Sequence, residues 1–303
     1  MDSKQIRKRV NRFLNLFGLV FVSLTIRIVP RSGLYVFARN IAALGYLFAA
    51  RQRKIAIDSL SMAFGNEKSP EEIGKIAKDC FIFMAKSAIE VIFLMDKPAL
   101  VKKRISLSGK ENLERALSNG RGVILVSAHF GNFPLLLARL ALDGYKTSGI
   151  MKPMHDTRVE KMFLEKRKKY NVKTIYSQPR SVCVNETVRV LRDNEIVFIP
   201  IDQNFGSGGV FVDFFGRKAA TATGPVVFAQ RTGAALVPCF IIRQPDDSHM
   251  IVFEPAIPLR EGKDSQETIL INIQRLTSVI EAYIRRYPAE WGWIHRRWKS
   301  KPN

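Results

Sequence analysis

From about residue 104 onward, short apolar runs alternate with amphipathic stretches, and this alternation constrains the chain more than any other feature. The runs lie in "RGVILVSAHF", "KTSGIM", "NVKTIY", "NEIVFIPID", "GGVFVDFF", "AALVPCFIIR" and "HMIVFEPAI". They are short, rich in Val, Ile and Phe, and punctuated by Gly, Pro, Asn and Asp, as buried strands are. Helical patterns occupy 133–142, 156–170, 181–192 and 224–232 between them. Helical crossovers leave neighbouring strands parallel. The expected fold is therefore α/β, a largely parallel mixed sheet flanked by helices. With 303 residues, 47% of them hydrophobic, the chain can bury a full core, which excludes a disordered polymer.

The first hundred residues have another character. Two apolar runs, 13–26 and 34–50, sit between clusters of Lys and Arg. The first contains Asn15 and is closed by Arg27, and the second is broken by Arg39 and Asn40. Both fall short of the roughly 20 clean residues of a spanning helix. "LTIRIVP" offers no small-x-small cleavage site. Two membrane-associated helices with cytoplasmic basic flanks fit this pattern, and so does a hydrophobic hairpin packed inside a soluble fold. Residues 1–50 are taken as the membrane-associated region and 51–303 as a second domain. That domain has a helical lead-in to about 103 and an α/β core over 104–303. In the lead-in, Ser69, Pro70 and Glu72 form a capping-box start. Apolar Ile73, Ile76, Ala77, Cys80, Phe81 and Met84 then recur along one helix face.

Charge narrows the partners. Lys and Arg number 48 against 27 Asp and Glu, a net charge of +21. Such an excess favours polyanions: nucleic acid, an anionic membrane face, or an acidic carrier or substrate. The three cysteines have no metal-like spacing and are expected to be reduced, buried thiols. His155, His249 and Cys183 likewise lack partners at ligand spacing, and "FGSGG" is followed by a strand, so it is no P-loop.

Chemistry concentrates in "VSAHFGNFPL". Ligands of a parallel sheet sit beyond the carboxyl ends of its strands, and His129 is the first titratable residue past one such end. Asn132 is a good N-cap for the helix that follows, whose free N–H groups favour developing negative charge. A general base and a core histidine bonded to a loop carbonyl are both open readings of His129. Asp202 and Asn204 emerge from the strand "IVFIPI" and are expected to rim the same crevice.

"SAHFGNF", "DQN", "GVFVDFFGRKAATATGP", "GAALVPCF" and "EWGWIHRRWK" follow one another in order across nearly the whole chain. Together they resemble the bacterial lipid A biosynthesis acyltransferases, the lauroyl/myristoyl branch of the lysophospholipid acyltransferase superfamily. The resemblance implies a glycerol-3-phosphate acyltransferase-like fold and an enzyme of the bacterial inner membrane facing the cytoplasm. The implied reaction moves a fatty acyl group from acyl carrier protein or acyl-CoA to a hydroxyl of a glycolipid or lysophospholipid. No cofactor, metal or nucleic acid enters it. On this basis His129 is the base, Gly131 leaves room for close approach, and Asn132 and Asn204 contact substrate. In their own right, Arg217, Lys218, Thr221 and Thr223 in "GRKAATATGP" put two cations and small hydroxyls before a helix start, where a phosphate or sugar site and a loop that caps the helix are both open readings. Arg158 and the cations that follow it suit substrate phosphate or the acidic carrier, and equally a solvated helix face; the Trp- and Arg-rich tail suits stacking on nucleic-acid bases or, beside the hydrophobic N-terminus, a membrane interface. One residue departs from the family's pattern: where the histidine should be followed five positions later by an acid, this chain has Pro134. Another carboxylate, Asp202 first and Asp156 second, could orient the imidazole. A backbone carbonyl could do so without its charge, or the chain could have lost transfer and kept lipid binding, or could move a non-fatty acyl group.

Overall fold

The computed structural model describes residues 31–153 and 156–302, so the apolar run 13–26 and His155 lie outside the described residues. Seven strands form one sheet in the order β1-β9-β8-β2-β5-β3-β4. The strands are β1 (Ile105–Ser108), β2 (Val123–Ser127), β3 (Thr147–Met151), β4 (Lys173–Tyr176), β5 (Ile196–Pro200), β8 (Ala235–Arg243) and β9 (His249–Phe253). All neighbours run parallel except β8 and β9, which form an antiparallel pair. β2 is buried along its whole length. Ile124 and Val126 feed one apolar core, while Val123 and Leu125 feed another on the opposite face. A strand covered on both faces must be continuously apolar, which is why the "VILV" run is legible.

Helices α5 (Lys110–Ser118), α6 (Phe133–Leu142), α7 (Thr157–Lys169), α8 (Arg180–Arg192) and α9 (Gly224–Thr232) follow strands, and α10 (Ser265–Arg286) follows β9. α6 and α9 keep the boundaries expected of them. α5, α10 and β1 were not expected. Nor was strand β7 (Arg217–Thr221): "GRKAAT" is not a loop but pairs antiparallel with β6 (Val210–Phe214) in a separate hairpin.

Ahead of the sheet stand α1 (Arg31–Phe48), α2 (Ala50–Phe64), α3 (Pro70–Leu94) and α4 (Pro98–Arg104). α3 begins with the expected capping box: the Ser69 hydroxyl accepts from the Glu72 N–H, and the Glu72 carboxylate accepts from the Ser69 N–H. Its buried face runs through Ile73, Ala77 and Cys80 to Phe83, Lys86, Ile89 and Glu90, whereas Met84 is exposed. α1 lays Leu34 and Ala38 against Ile89 of α3. Its outer side exposes Val36, Leu44, Leu47 and Phe48, Phe48 to 82%. No described single helix is long and apolar enough to cross a membrane; α1 and α2 pass that test only together, bent by 89°.

Candidate active site

Parallel pairing of β2 with β5 sets the site. Ser127 lies opposite Pro200, so the residues just past each strand, His129 and Asp202, leave the same edge of the sheet side by side. His129 Nδ1 stands 2.9 Å from Asp202 Oδ1, and the His129 backbone N–H donates to that same oxygen at 2.9 Å. The indole N–H of Trp291 donates to Asp202 Oδ2 at 2.7 Å. With a carboxylate at Nδ1, the proton sits on that nitrogen and Nε2 is left as the basic one.

Electrostatics follow from burial and pairing. Asp202 is 3% exposed. Burial alone raises a carboxyl pKa, but the His129 charge and the hydrogen bonds from His129 and Trp291 outweigh it and hold Asp202 down at about 2. Burial pulls the other way on His129, yet the charge and hydrogen bond of Asp202 prevail and its pKa is raised above the ordinary value. The imidazole keeps about a third of its surface open, 32%, while the Asp202 side chain keeps 2%. Its ring meets Phe133 edge-on, and Phe133 stacks on Phe198, giving the crevice one apolar wall.

The acid at this histidine therefore comes from a strand 73 residues away. Pro134 occupies the first turn of α6, where its missing N–H costs nothing and its fixed φ suits the helix. Asp156 is engaged elsewhere: it N-caps α7, accepting from the N–H groups of Arg158 and Val159.

The other residues singled out from the sequence divide sharply. Gly131 adjoins His129, but its conformation answers to protein rather than ligand. Its φ is +60°, and a Cβ there would lie 1.8 Å from the carbonyl oxygen of Ile241. Asn132 stands at the N-cap position of α6 without capping it; 2% exposed, it donates its amide to Ser87 O and Glu90 Oε2. That leaves it no surface for substrate. Thr221 is fully buried, its hydroxyl bonded to Ala219 O and accepting from Arg297. Asn204 exchanges hydrogen bonds with Ser300 of the tail. Arg217 and Lys218 lie at the turn end of the β6–β7 hairpin, bonded to Met62 O and to Asp213. "GRKAATATGP" is thus a strand and its exit, and the two cations occupy its far end from Thr221. Thr223 is half-buried at the start of α9 and makes no cap hydrogen bond. Arg158 is exposed in the first turn of α7. In the basic run at the end of that helix, Lys166 is tied to Asp96 and Arg167 to Glu160, so only part of it faces solvent.

The tail contains what sequence reasoning missed. Trp291 and Trp293 are 2% and 0% exposed, core residues and not an interfacial belt. Arg297 is buried too and donates to the carbonyls of Gln203 and Ala220, fixing the chain beside Asp202. Burial drops its pKa to about 10, and the nearby Asp202 charge opposes this only in part. The His295 ring lies 6.1 Å from that of His129, with its Nε2 3.2 Å from the Gln203 amide. An aromatic tail rich in donors was the available signal; its pairing with Asp202 appears only in three dimensions.

Comparison with known proteins extends this picture over the whole chain. The family described as bacterial lipid A biosynthesis acyltransferase matches residues 2–300. A lipid A biosynthesis palmitoleoyltransferase of Escherichia coli (strain K12) is 27% identical over 299 residues, covering 96% of this chain and 92% of its own. A lipid A biosynthesis lauroyltransferase of the same organism is 25% identical, covering 90% and 88%. A phosphatidylinositol mannoside acyltransferase of Mycolicibacterium smegmatis is 26% identical over 62% of this chain and 60% of its own.

Proposed function

Because the chain belongs to the bacterial lipid A biosynthesis acyltransferase family and is an acyltransferase, we propose that it moves a fatty acyl group from a carrier thioester to a hydroxyl of a lipid A-type glycolipid or lysophospholipid. The donor is acyl carrier protein or acyl-CoA, and His129 is the general base with Asp202 as its orienting acid. The observation that carries this reading is the 2.9 Å contact between His129 Nδ1 and a buried, ionised Asp202.

The steps balance as follows. Nε2 of His129 takes the proton of the acceptor hydroxyl as its oxygen attacks the thioester carbonyl carbon. The imidazolium that forms faces the Asp202 carboxylate, which stabilises its charge and holds its tautomer. The carbonyl oxygen becomes an oxyanion, and the positive end of the α6 dipole lies beside the turn that carries His129. Collapse of the intermediate breaks the C–S bond, and the imidazolium returns its proton to the thiolate. The products are an ester and a free thiol, and the base is restored. Pro134 supplies neither acid nor N–H to any of these steps.

Membrane attachment is part of the proposal. Leu44, Leu47 and Phe48 expose apolar side chains at the end of α1, with Arg51 and Lys54 exposed just beyond the bend. Apolar surface backed by cations fits a leaflet of anionic lipid, here the cytoplasmic face of the inner membrane. Replacing Leu47 and Phe48 together by Glu should shift protein from the membrane to the soluble fraction; unchanged partition after a high-salt wash places the anchor elsewhere.

The direct test is transfer from labelled acyl carrier protein and acyl-CoA to lysophospholipid and glycolipid acceptors. Wild type should turn over. His129→Ala should lose roughly 10²- to 10⁴-fold, as expected for a general base, with its circular dichroism unchanged. An active His129→Ala overturns the mechanism. A wild type that binds lipid saturably yet transfers nothing overturns the activity.

A further inference from the structure

A second buried carboxylate stands behind the His129 turn, and the transfer chemistry does not use it. Glu90, on α3, is 2% exposed. Its Oε1 accepts from Tyr35 Oη at 2.9 Å and Arg243 Nη1 at 2.6 Å. Its Oε2 accepts from Arg243 Nη2 at 2.8 Å and Asn132 Nδ2 at 3.0 Å, and lies 3.1 Å from His249 Nε2. These donors come from α1, the entry to α6, β8 and β9. A carboxylate offers about four lone-pair positions, so this one is saturated.

One of those donors is Asn132, three residues after His129. An asparagine at an N-cap position ordinarily bonds the free N–H groups of its own helix. This one turns its side chain away to Glu90 and Ser87, while its backbone carbonyl accepts from the Leu135 and Leu136 N–H groups. The turn is gripped at a second point, where the Gly131 N–H donates to Glu290 O. The Glu290 carboxylate in turn accepts from the Arg243 backbone N–H. Arg243 thereby joins the two grips: its guanidinium holds Glu90 and its backbone holds Glu290. The Glu290 carboxyl, pushed up to about 7 by burial, can release a proton near neutral pH without touching the crevice.

We propose that Glu90 is a positioning residue for acyl transfer, acting through Asn132 to fix the turn that carries His129. This rests on the reading of His129 as the base. A misplacement of about 1 Å at a reacting group can cost on the order of 10²-fold, so the hold on the turn is a property of rate and not only of stability. Because Glu90 itself contacts no reacting atom, its loss should lower kcat and leave KM nearly untouched.

Asn132→Ala carries the test, since it cuts the link and leaves Glu90 with its other donors. It should lower kcat by about 10- to 100-fold with KM within about threefold. Asn132→Ala combined with Glu90→Gln should be no slower than the slower single variant, because both break one link. Where Glu90→Gln fails to fold, Asn132→Ala and a second readout suffice. That readout is the titration of His129 in isotopically labelled protein by NMR, assigned with His129→Ala. In Asn132→Ala the His129 pKa should fall toward the ordinary value of about 6.5 as its contact with Asp202 loosens. Full kcat in Asn132→Ala, additive losses in the double variant, or an unmoved His129 titration each overturn the proposal. The titration needs no substrate, so an inert wild type refutes the transfer reading while the titration still decides this one.

Discussion

The two carboxylates that flank the His129 turn are nearly alike in burial and charge and differ in what they face. Asp202 and Glu90 are 3% and 2% exposed, and both are held at about 2 despite burial that alone would raise them. Glu90 does it with Arg243 and His249, whose side chains keep 9% and 0% of their surface. Asp202 does it with His129, whose ring keeps 32%. A carboxylate whose partners are sealed in the core can only hold a shape. One whose counter-charge is an imidazole at an open edge can stabilise a proton that comes and goes. Neighbouring acids with similar pKa values are thus given different work by the exposure of their partners.

Several measurements sharpen or break that contrast, beginning with the largest effect. Asp202→Asn removes the charge and should cost about 10²-fold or more in kcat. It should also move the acid limb of the rate profile. His129 must be neutral to accept a proton, and its pKa is raised in the folded protein, so wild-type activity should fall as pH drops through a value above about 6.5. Without the carboxylate, burial pulls that pKa down, and the limb should move to lower pH. A wild-type limb at or below the ordinary histidine value breaks the contrast, because Asp202 then contributes no charge stabilisation.

Trp291→Phe is the next in size. It leaves one oxygen of a buried carboxylate without its donor, at a cost of about 1–3 kcal/mol, read as a lowered thermal midpoint. Its kcat should drop less than that of Asp202→Asn, because the charge remains. A loss as large as that of Asp202→Asn shows that geometry, not charge, is what Asp202 supplies. Pro134→Glu should have the smallest effect, within about threefold in kcat, since Asp202 already occupies the acid's place at Nδ1 and general-base support is not gained twice. A tenfold gain marks the Asp202 support as incomplete.

Much of the Asp202 side was legible in the sequence and little of the Glu90 side was. A continuous apolar strand ending at a histidine, followed by Gly, Asn and Pro, defines both a strand edge and a helix start. A second such strand ending in Asp202 shares that edge once the two strands are parallel. Those are local patterns joined by one rule of topology. The sequence places Glu90 within "SAIEVIFL", a lone acid in an apolar helix run. Its partners lie as far as 159 residues away, and no periodicity points to them. The strand in "GRKAATATGP" was not legible because its small Ala and Thr residues lack the bulk that marks a strand. The tryptophans misled in the opposite sense: indoles beside arginines suggest an interface, yet here they fill the core and one donates to Asp202.

The separation between His129 and Asp202 bears on how the protein acquires competence during folding. An acid five residues after the histidine would lie in the first turn of α6, and its proximity would follow from a local turn and helix that form in about a microsecond or less. Here the pair closes only when β2 and β5, with a helix-crossed excursion between them, have entered the sheet side by side. Non-local parallel pairing of this kind is slow, because the loop entropy is spent before any contact rewards it. The His129–Asp202 pair is therefore absent from every partly folded form that retains helix but lacks the β2–β5 ladder, and on the proposed mechanism this chain gains a supported base only when its central sheet is complete.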